Sequence, residues 1–194
     1  LLDAQLAANV DAIVVCGTTG EAATLSYNER MALIERCVRT ADRRVPVIAG
    51  SGTNSTASSI ALSKAAQSAG VDALLTVTPY YNKASQSGLV QHFSAIADAV
   101  DVPVILYNVP ARTGIGCTVQ TYQALAKHPN IVGVKEASDN FDLIQDTLNL
   151  CPPGFTVWSG NDGSTAAIMA LGGKGVISVA ANVVPREMHE LTQL

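Results

Sequence analysis

Ile131-Val132-Gly133-Val134-Lys135-Glu136-Ala137 is a short apolar run with a lysine near its end. Ile131, Val132 and Val134 give it the composition of a strand buried on both faces, as a parallel sheet requires. An ammonium buried there without a partner is costly, and desolvation lowers its pKa towards the neutral amine. The neutral amine attacks a carbonyl carbon to give a Schiff base. The ordinary alternative is a lysine that caps a strand end and snorkels to water. Lys135 alone does not separate the two readings.

Outward from this run the same unit recurs in both directions. Towards the N-terminus, strands are expected at Asp11-Ala12-Ile13-Val14-Val15-Cys16, Val45-Pro46-Val47-Ile48-Ala49-Gly50, Asp72-Ala73-Leu74-Leu75-Thr76-Val77 and Val102-Pro103-Val104-Ile105-Leu106. Towards the C-terminus they are expected at Phe155-Thr156-Val157-Trp158 and Gly175-Val176-Ile177-Ser178-Val179. Helices are expected between them over residues 55–69, closed by Gly70, and over 87–100, 119–127, 141–150 and 164–171. Ser26-Tyr27-Asn28-Glu29 reads as a capping box, and the helix after it puts Met31, Ile34, Val38 and Ala41 on one face. Residues 1–10 read as a helix with no strand before it in the chain, and residues 185–194, after the last strand, start a helix that the chain cuts off.

Seven strands at intervals of roughly 20 to 35 residues, each paired with a helix, make right-handed βαβ units and a parallel sheet. The fold class expected is α/β, a (β/α)8 barrel lacking its first strand, in one partial-barrel domain over residues 1–194. A doubly wound open sheet is the structural alternative, but its usual Gly-x-Gly-x-x-Gly turn is absent from the sequence.

Composition narrows the function. Hydrophobic residues make up 48% and charged residues 14% of the 194, which suits strands covered on both sides. The net charge of −4 and the lack of a Lys/Arg cluster argue against nucleic acid or an anionic membrane as partner. No apolar run is long enough to span a bilayer, and the start, with Asp3 and no basic region, is not that of a signal peptide. Cys16, Cys37, Cys117 and Cys151 are scattered, as are His92, His128 and His189, so neither a disulfide framework nor a metal site is expected.

The polar residues that stand out fall at the carboxyl ends of the expected strands, where a barrel builds its active site. Gly17-Thr18-Thr19-Gly20 offers backbone amides and two hydroxyls to a small carboxylate, or is a plain Gly-rich turn. Tyr107 offers a phenol for proton transfer at a carbinolamine, or plugs the barrel mouth. Arg112 can clamp a carboxylate bidentately, or be a solvated loop arginine. Gly172-Gly173-Lys174-Gly175 lacks the full P-loop pattern and reads as a tight helix-to-strand turn.

Gly17-Thr18-Thr19-Gly20-Glu21, Tyr107-Asn108-Val109-Pro110-Ala111-Arg112-Thr113-Gly114 and Val134-Lys135-Glu136-Ala137 together resemble the dihydrodipicolinate synthase family. This family sits among the pyruvate-dependent class I aldolases that include N-acetylneuraminate lyase. Thr78-Pro79-Tyr80-Tyr81-Asn82 and Ser159-Gly160-Asn161-Asp162 match as well, in the family's order. The resemblance implies a barrel whose first strand and C-terminal helical region lie outside the chain.

It further implies that Lys135 forms the Schiff base with pyruvate and that the enamine attacks aspartate semialdehyde, in lysine (diaminopimelate) biosynthesis. Thr18 and Thr19 would hold the pyruvate carboxylate, with Gly160 and the Ile177 carbonyl. Tyr107 and Thr19 would form a proton relay with Tyr81 from a neighbouring subunit, and Arg112 would bind the semialdehyde carboxylate. No cofactor and a homotetramer follow from the same resemblance, while the scattered cysteines, expected as buried thiols in a reducing cytosol, give the cytoplasmic location. Thr18-Thr19 and Arg112 favour the synthase over a sialate or 2-oxo sugar acid lyase, while an inert binding paralogue is the non-enzyme alternative. Tyr27, Arg30 and Ser58 stand where lysine-sensitive members carry histidines and a glutamate, so weak lysine inhibition is expected.

Overall fold

Six strands form one parallel sheet in the order β1 to β6, in a computed structural model that describes residues 1–193. The strands are β1 (Ile13–Val15), β2 (Val47–Gly50), β3 (Ala73–Val77), β4 (Val104–Asn108), β5 (Ile131–Glu136) and β6 (Thr156–Ser159). The helices are α1 (Leu2–Ala7), α2 (Tyr27–Ala41), α3 (Thr56–Ser68), α4 (Gln86–Ala97), α5 (Pro110–Thr113), α6 (Val119–Leu125), α7 (Phe141–Leu150), α8 (Thr165–Ala170) and α9 (Pro185–Leu191). The strand–helix alternation is that of the expected barrel. The sheet curls far enough to bring its two ends together: Gln5 Nε2 donates to the Ala181 carbonyl, and His189 Nδ1 lies 3.1 Å from Asp11 Oδ2.

Local chemistry sets where the elements begin and end. Ser26 accepts from the Glu29 amide while the Glu29 carboxylate accepts from the Ser26 amide, the reciprocal bonding of a capping box. Ser55, Ser85, Thr118 and Asn140 cap α3, α4, α6 and α7 in the same sense. β1 stops at Val15 because Cys16 turns into the left-handed region at φ 57°. The short α5, which carries Arg112, was not expected from the sequence; Pro110 at its first position and Gly114 at φ 73° bound a single turn. Leu194, the last residue of the expected terminal helix, lies outside the described residues.

The expected seventh strand is a correction. Residues 175–179 make only one parallel bridge, Val176 to Ser159. Ser159 donates its amide to the Gly175 carbonyl and accepts from the Ile177 amide. Beyond it, one Asp162 carboxylate oxygen accepts from the Val179 and Ala180 amides at 3.2 and 2.9 Å. That capture bends the chain into a short 3-10 turn, Ala180–Asn182, and ends the ladder.

Strand alternation divides the core in two. Leu74, Val104, Leu106, Val134 and Val157 face the helices, packing with Ile34, Phe93, Tyr122, Ile144 and Ile168. Leu75, Ile105 and Tyr107 face the barrel interior with Val14, Ile48, Val77, Val132, Trp158 and Ile177. Each fully buried side chain of this size contributes about 1.5–3 kcal/mol, so the helix-facing layer dominates stability. The smaller inner layer ends where the polar residues begin.

Candidate active site

Val134 and Glu136 face the helices, so the two-residue period turns Lys135 to the interior. Its register partners are Tyr107 on β4 and Trp158 on β6. The Lys135 ammonium nitrogen lies 4.4 Å from the centroid of the Tyr107 ring, and the residue is only 8% exposed. Burial lowers the Lys135 pKa to about 8, with the Asp162 carboxylate partly opposing the shift. Lys135 therefore does not snorkel to water, and a nucleophilic amine is accessible near neutral pH.

Tyr107 is buried in the inner cluster, both a plug of the barrel mouth and the ring against the amine. Gly160 donates its amide to the Glu136 carbonyl at 2.7 Å. A Cβ there would lie 2.6 Å from the Ala137 Cβ, so only glycine fits without displacement. Ile177 packs its side chain in the inner cluster, and among the described residues its carbonyl accepts no hydrogen bond.

Thr18 and Thr19 occupy an exposed turn after β1 in which the Gly17 carbonyl accepts from Gly20 and the Thr18 carbonyl from Glu21. Among the described residues, the amides and hydroxyls of Thr18 and Thr19 have no protein acceptor. Arg30 anchors the far side of this loop. Its buried guanidinium donates to the Gly50 carbonyl at 3.3 Å and the Ala22 carbonyl at 2.6 Å.

Arg112 is exposed and lines a cleft of about 500 Å³ with Val109, Ala111, Ala137, Ser138, Asp139 and Asn161. Tyr81 stands apart: it is 88% exposed, at φ 73°, with its amide donated to the Thr113 carbonyl. Among the described residues, no hydrogen bond links the Thr19, Tyr107 and Tyr81 hydroxyls.

The sequence-based reading passed over a buried polar knot directly behind the lysine. The Glu136 carboxylate is 2% exposed and accepts from Asn108, from the Tyr122 hydroxyl at 2.6 Å and from the Ser138 amide at 2.9 Å. Asn108 in turn accepts from the Cys117 amide, which pins the segment carrying Arg112. Burial raises the Glu136 pKa, against these hydrogen bonds. The available signal was the polar pair Asn108 and Glu136, each following an interior-facing residue in a buried strand. Arg30 and Asp162 were likewise not anticipated as anchors. No group of three or more His, Cys, Asp or Glu side chains suited to a metal occurs among the described residues.

The model of the dihydrodipicolinate synthetase family matches residues 1–194. The chain belongs to the dihydrodipicolinate synthetase family. Among family members, the 4-hydroxy-tetrahydrodipicolinate synthase of Exiguobacterium sibiricum is 51% identical over 193 residues, 100% of this chain and 66% of that protein. The enzyme of the same name from Acetivibrio thermocellus is 49% identical over 191 residues, covering 98% of this chain and 65% of the relative. The chain thus spans just under two thirds of the length of these relatives.

Solved structures of the family superpose closely on the fold. Dihydrodipicolinate synthase from Aquifex aeolicus gives a TM-score of 0.97 at 45% identity, over 99% of this chain and 66% of that one. The chloride-inhibited enzyme from Acinetobacter baumannii, solved with pyruvate, gives 0.95 at 46% identity, over 97% and 65% of the two chains. At this identity the chain shares the family's fold over the part it covers, a six-stranded curled parallel sheet with helices that is consistent with a truncated barrel. No helix among the described residues is long and apolar enough to cross a membrane.

Proposed function

We propose that the protein containing this chain condenses pyruvate with L-aspartate 4-semialdehyde to 4-hydroxy-tetrahydrodipicolinate, a lyase-type step of lysine (diaminopimelate) biosynthesis. The observation that carries this reading is the Lys135 amine, buried on the barrel interior against Tyr107 with its pKa lowered to about 8. The names of the relatives support the same assignment.

Lys135 attacks C2 of pyruvate, and the carbinolamine loses water to give a protonated imine. Loss of a C3 proton makes an enamine, whose C3 bonds to the aldehyde carbon while the aldehyde oxygen takes a proton. The amino group of the semialdehyde then attacks C2, closes the ring and releases Lys135 as the free amine. Tyr107, against the amine, moves protons at the carbinolamine with Thr19 and a Tyr81 supplied by a second subunit. Thr18 and Thr19 hold the pyruvate carboxylate with their unpartnered amides and hydroxyls, Gly160 and the Ile177 carbonyl complete that pocket, and Arg112 takes the carboxylate of the semialdehyde. The covalent lysine adduct makes a separate cofactor unnecessary.

A homotetramer, a cytoplasmic location and weak lysine inhibition belong to the same proposal; Arg30 and Ser58 leave a lysine ammonium without an acidic partner at that position. One experiment tests the core of it. Borohydride reduction of the full-length protein with labelled pyruvate should leave one covalent adduct on Lys135 and none in Lys135→Ala. An unlabelled lysine, or condensation activity that survives Lys135→Ala, would overturn the assignment.

A further inference from the structure

Arg112 and Asp139 line the same cleft of about 500 Å³ with opposite charges, yet they do not pair with each other. Among the described residues, Arg39 pairs with Glu35, while His128 and His189 contact Asp98 and Asp11, and neither Arg112 nor Asp139 takes part in such a contact. Both cleft charges belong to segments tied down elsewhere. The Arg112 turn is held by Thr113, whose hydroxyl contacts the Val109 and Ile115 carbonyls at 3.1 and 2.7 Å. The Asp139 backbone is left-handed at φ 54°, a conformation that aspartate tolerates better than most residues. One Asp139 oxygen accepts from Asn161 Nδ2 at 2.9 Å and from the Ser164 hydroxyl at 2.6 Å. Its other oxygen accepts from no protein group among the described residues.

A cation carried on an anchored turn and an anion held by two hydrogen bonds, on one cleft and each with bonding capacity left over, match a ligand that carries both complementary charges close together. A 2-amino acid does so, with its carboxylate and ammonium on one carbon. We propose that Asp139 is a specificity-determining residue that takes the ammonium of a 2-amino-acid aldehyde while Arg112 holds its carboxylate. This rests on the condensation proposed above and adds to it the feature of the electrophile that is selected. A sugar acid or a desamino aldehyde presents no ammonium to Asp139 and gains nothing from it. The two hydrogen bonds from Asn161 and Ser164 favour the ionised form, holding the Asp139 carboxyl below the usual carboxylate range.

The test uses Asp139→Asn in the full-length protein, a near-isosteric change whose amide oxygen can still accept from Asn161 and Ser164. The KM for aspartate semialdehyde should rise about tenfold or more, as for loss of a charged hydrogen bond. The inhibition constant of succinate semialdehyde, which lacks the amino group, should stay within about twofold, and borohydride trapping of pyruvate should be unchanged. Calorimetric binding of L-homoserine and of 4-hydroxybutanoate in the presence of pyruvate gives a second arm that needs no turnover. Only homoserine should weaken in the variant. Equal effects on the amino and desamino compounds, or none on either, would overturn the clamp. Failure of pyruvate trapping in the unmodified protein would overturn the condensation while the binding arm still decided the role of Asp139.

Discussion

Asn108 Nδ2 lies 2.9 Å from one carboxylate oxygen of Glu136 and 3.0 Å from the other, bridging the ends of β4 and β5. The bridge sits one residue beyond the Tyr107–Lys135 pair, so the parts that hold the strand ends together and the parts that do chemistry are adjacent in sequence but back to back in space.

Glu136→Gln sets an amide donor among groups that already donate. It should cost about 1–3 kcal/mol in a urea titration and slow borohydride trapping on Lys135 at temperatures where the variant is still folded. The exchange Asn108→Asp with Glu136→Gln restores a donor–acceptor match and should recover most of both losses. A double variant no better than Glu136→Gln would show that the knot does not position Lys135.

The low Lys135 pKa fixes the pH dependence of Schiff-base formation. With a pKa of about 8, the neutral amine fraction rises through that pH. Roughly a tenth of the amine is already neutral at pH 7, against far less for an ordinary lysine. Trapping rates should climb from pH 6 and level off above about pH 9. Asp162 favours the ammonium, so Asp162→Asn should move the midpoint of this climb to lower pH.

Gly160→Ala forces a methyl group to within 2.6 Å of the Ala137 Cβ and 3.0 Å of the Glu136 carbonyl. Overpacking of this kind typically costs 1–3 kcal/mol, and thermal unfolding should register about that loss.

Arg30→Met keeps the bulk of the side chain but leaves the Gly50 and Ala22 carbonyls without their donor. Hydrogen exchange at residues 17–25 should accelerate by about tenfold while the amides of β4 and β5 keep their protection. Uniform acceleration across the sheet would instead mean a global loss of stability.

How far the sequence reached depended on the kind of order involved. The period of strand and helix exposed the barrel, because burying apolar runs on both faces leaves few other arrangements. Lys135 was visible because a cation within such a run contradicts its surroundings. Glu136 carries no comparable signal, because its role depends on strand alternation sending it to the layer opposite Lys135, where Asn108 and Tyr122 from other elements meet it. The seventh strand was over-read for a related reason: Gly175-Val176-Ile177-Ser178-Val179 has strand composition, but Asp162, 17 residues before Val179, takes the amides that a ladder needs. Asp139 gave no local signal, since its place opposite Arg112 arises only when the loops after β4 and β5 meet.

Lys135 and Glu136 occupy opposite sides of one sheet through a single peptide bond. A slip of β5 by one residue would carry the acid into the barrel mouth and the amine in among the helices, where the surrounding apolar side chains make a buried ammonium costly. The same bond that supplies the nucleophile thus polices the pairing of its strand. Molecules with β5 misaligned lose reactivity and core packing together, so an assay for the lysine adduct also counts correctly folded barrels.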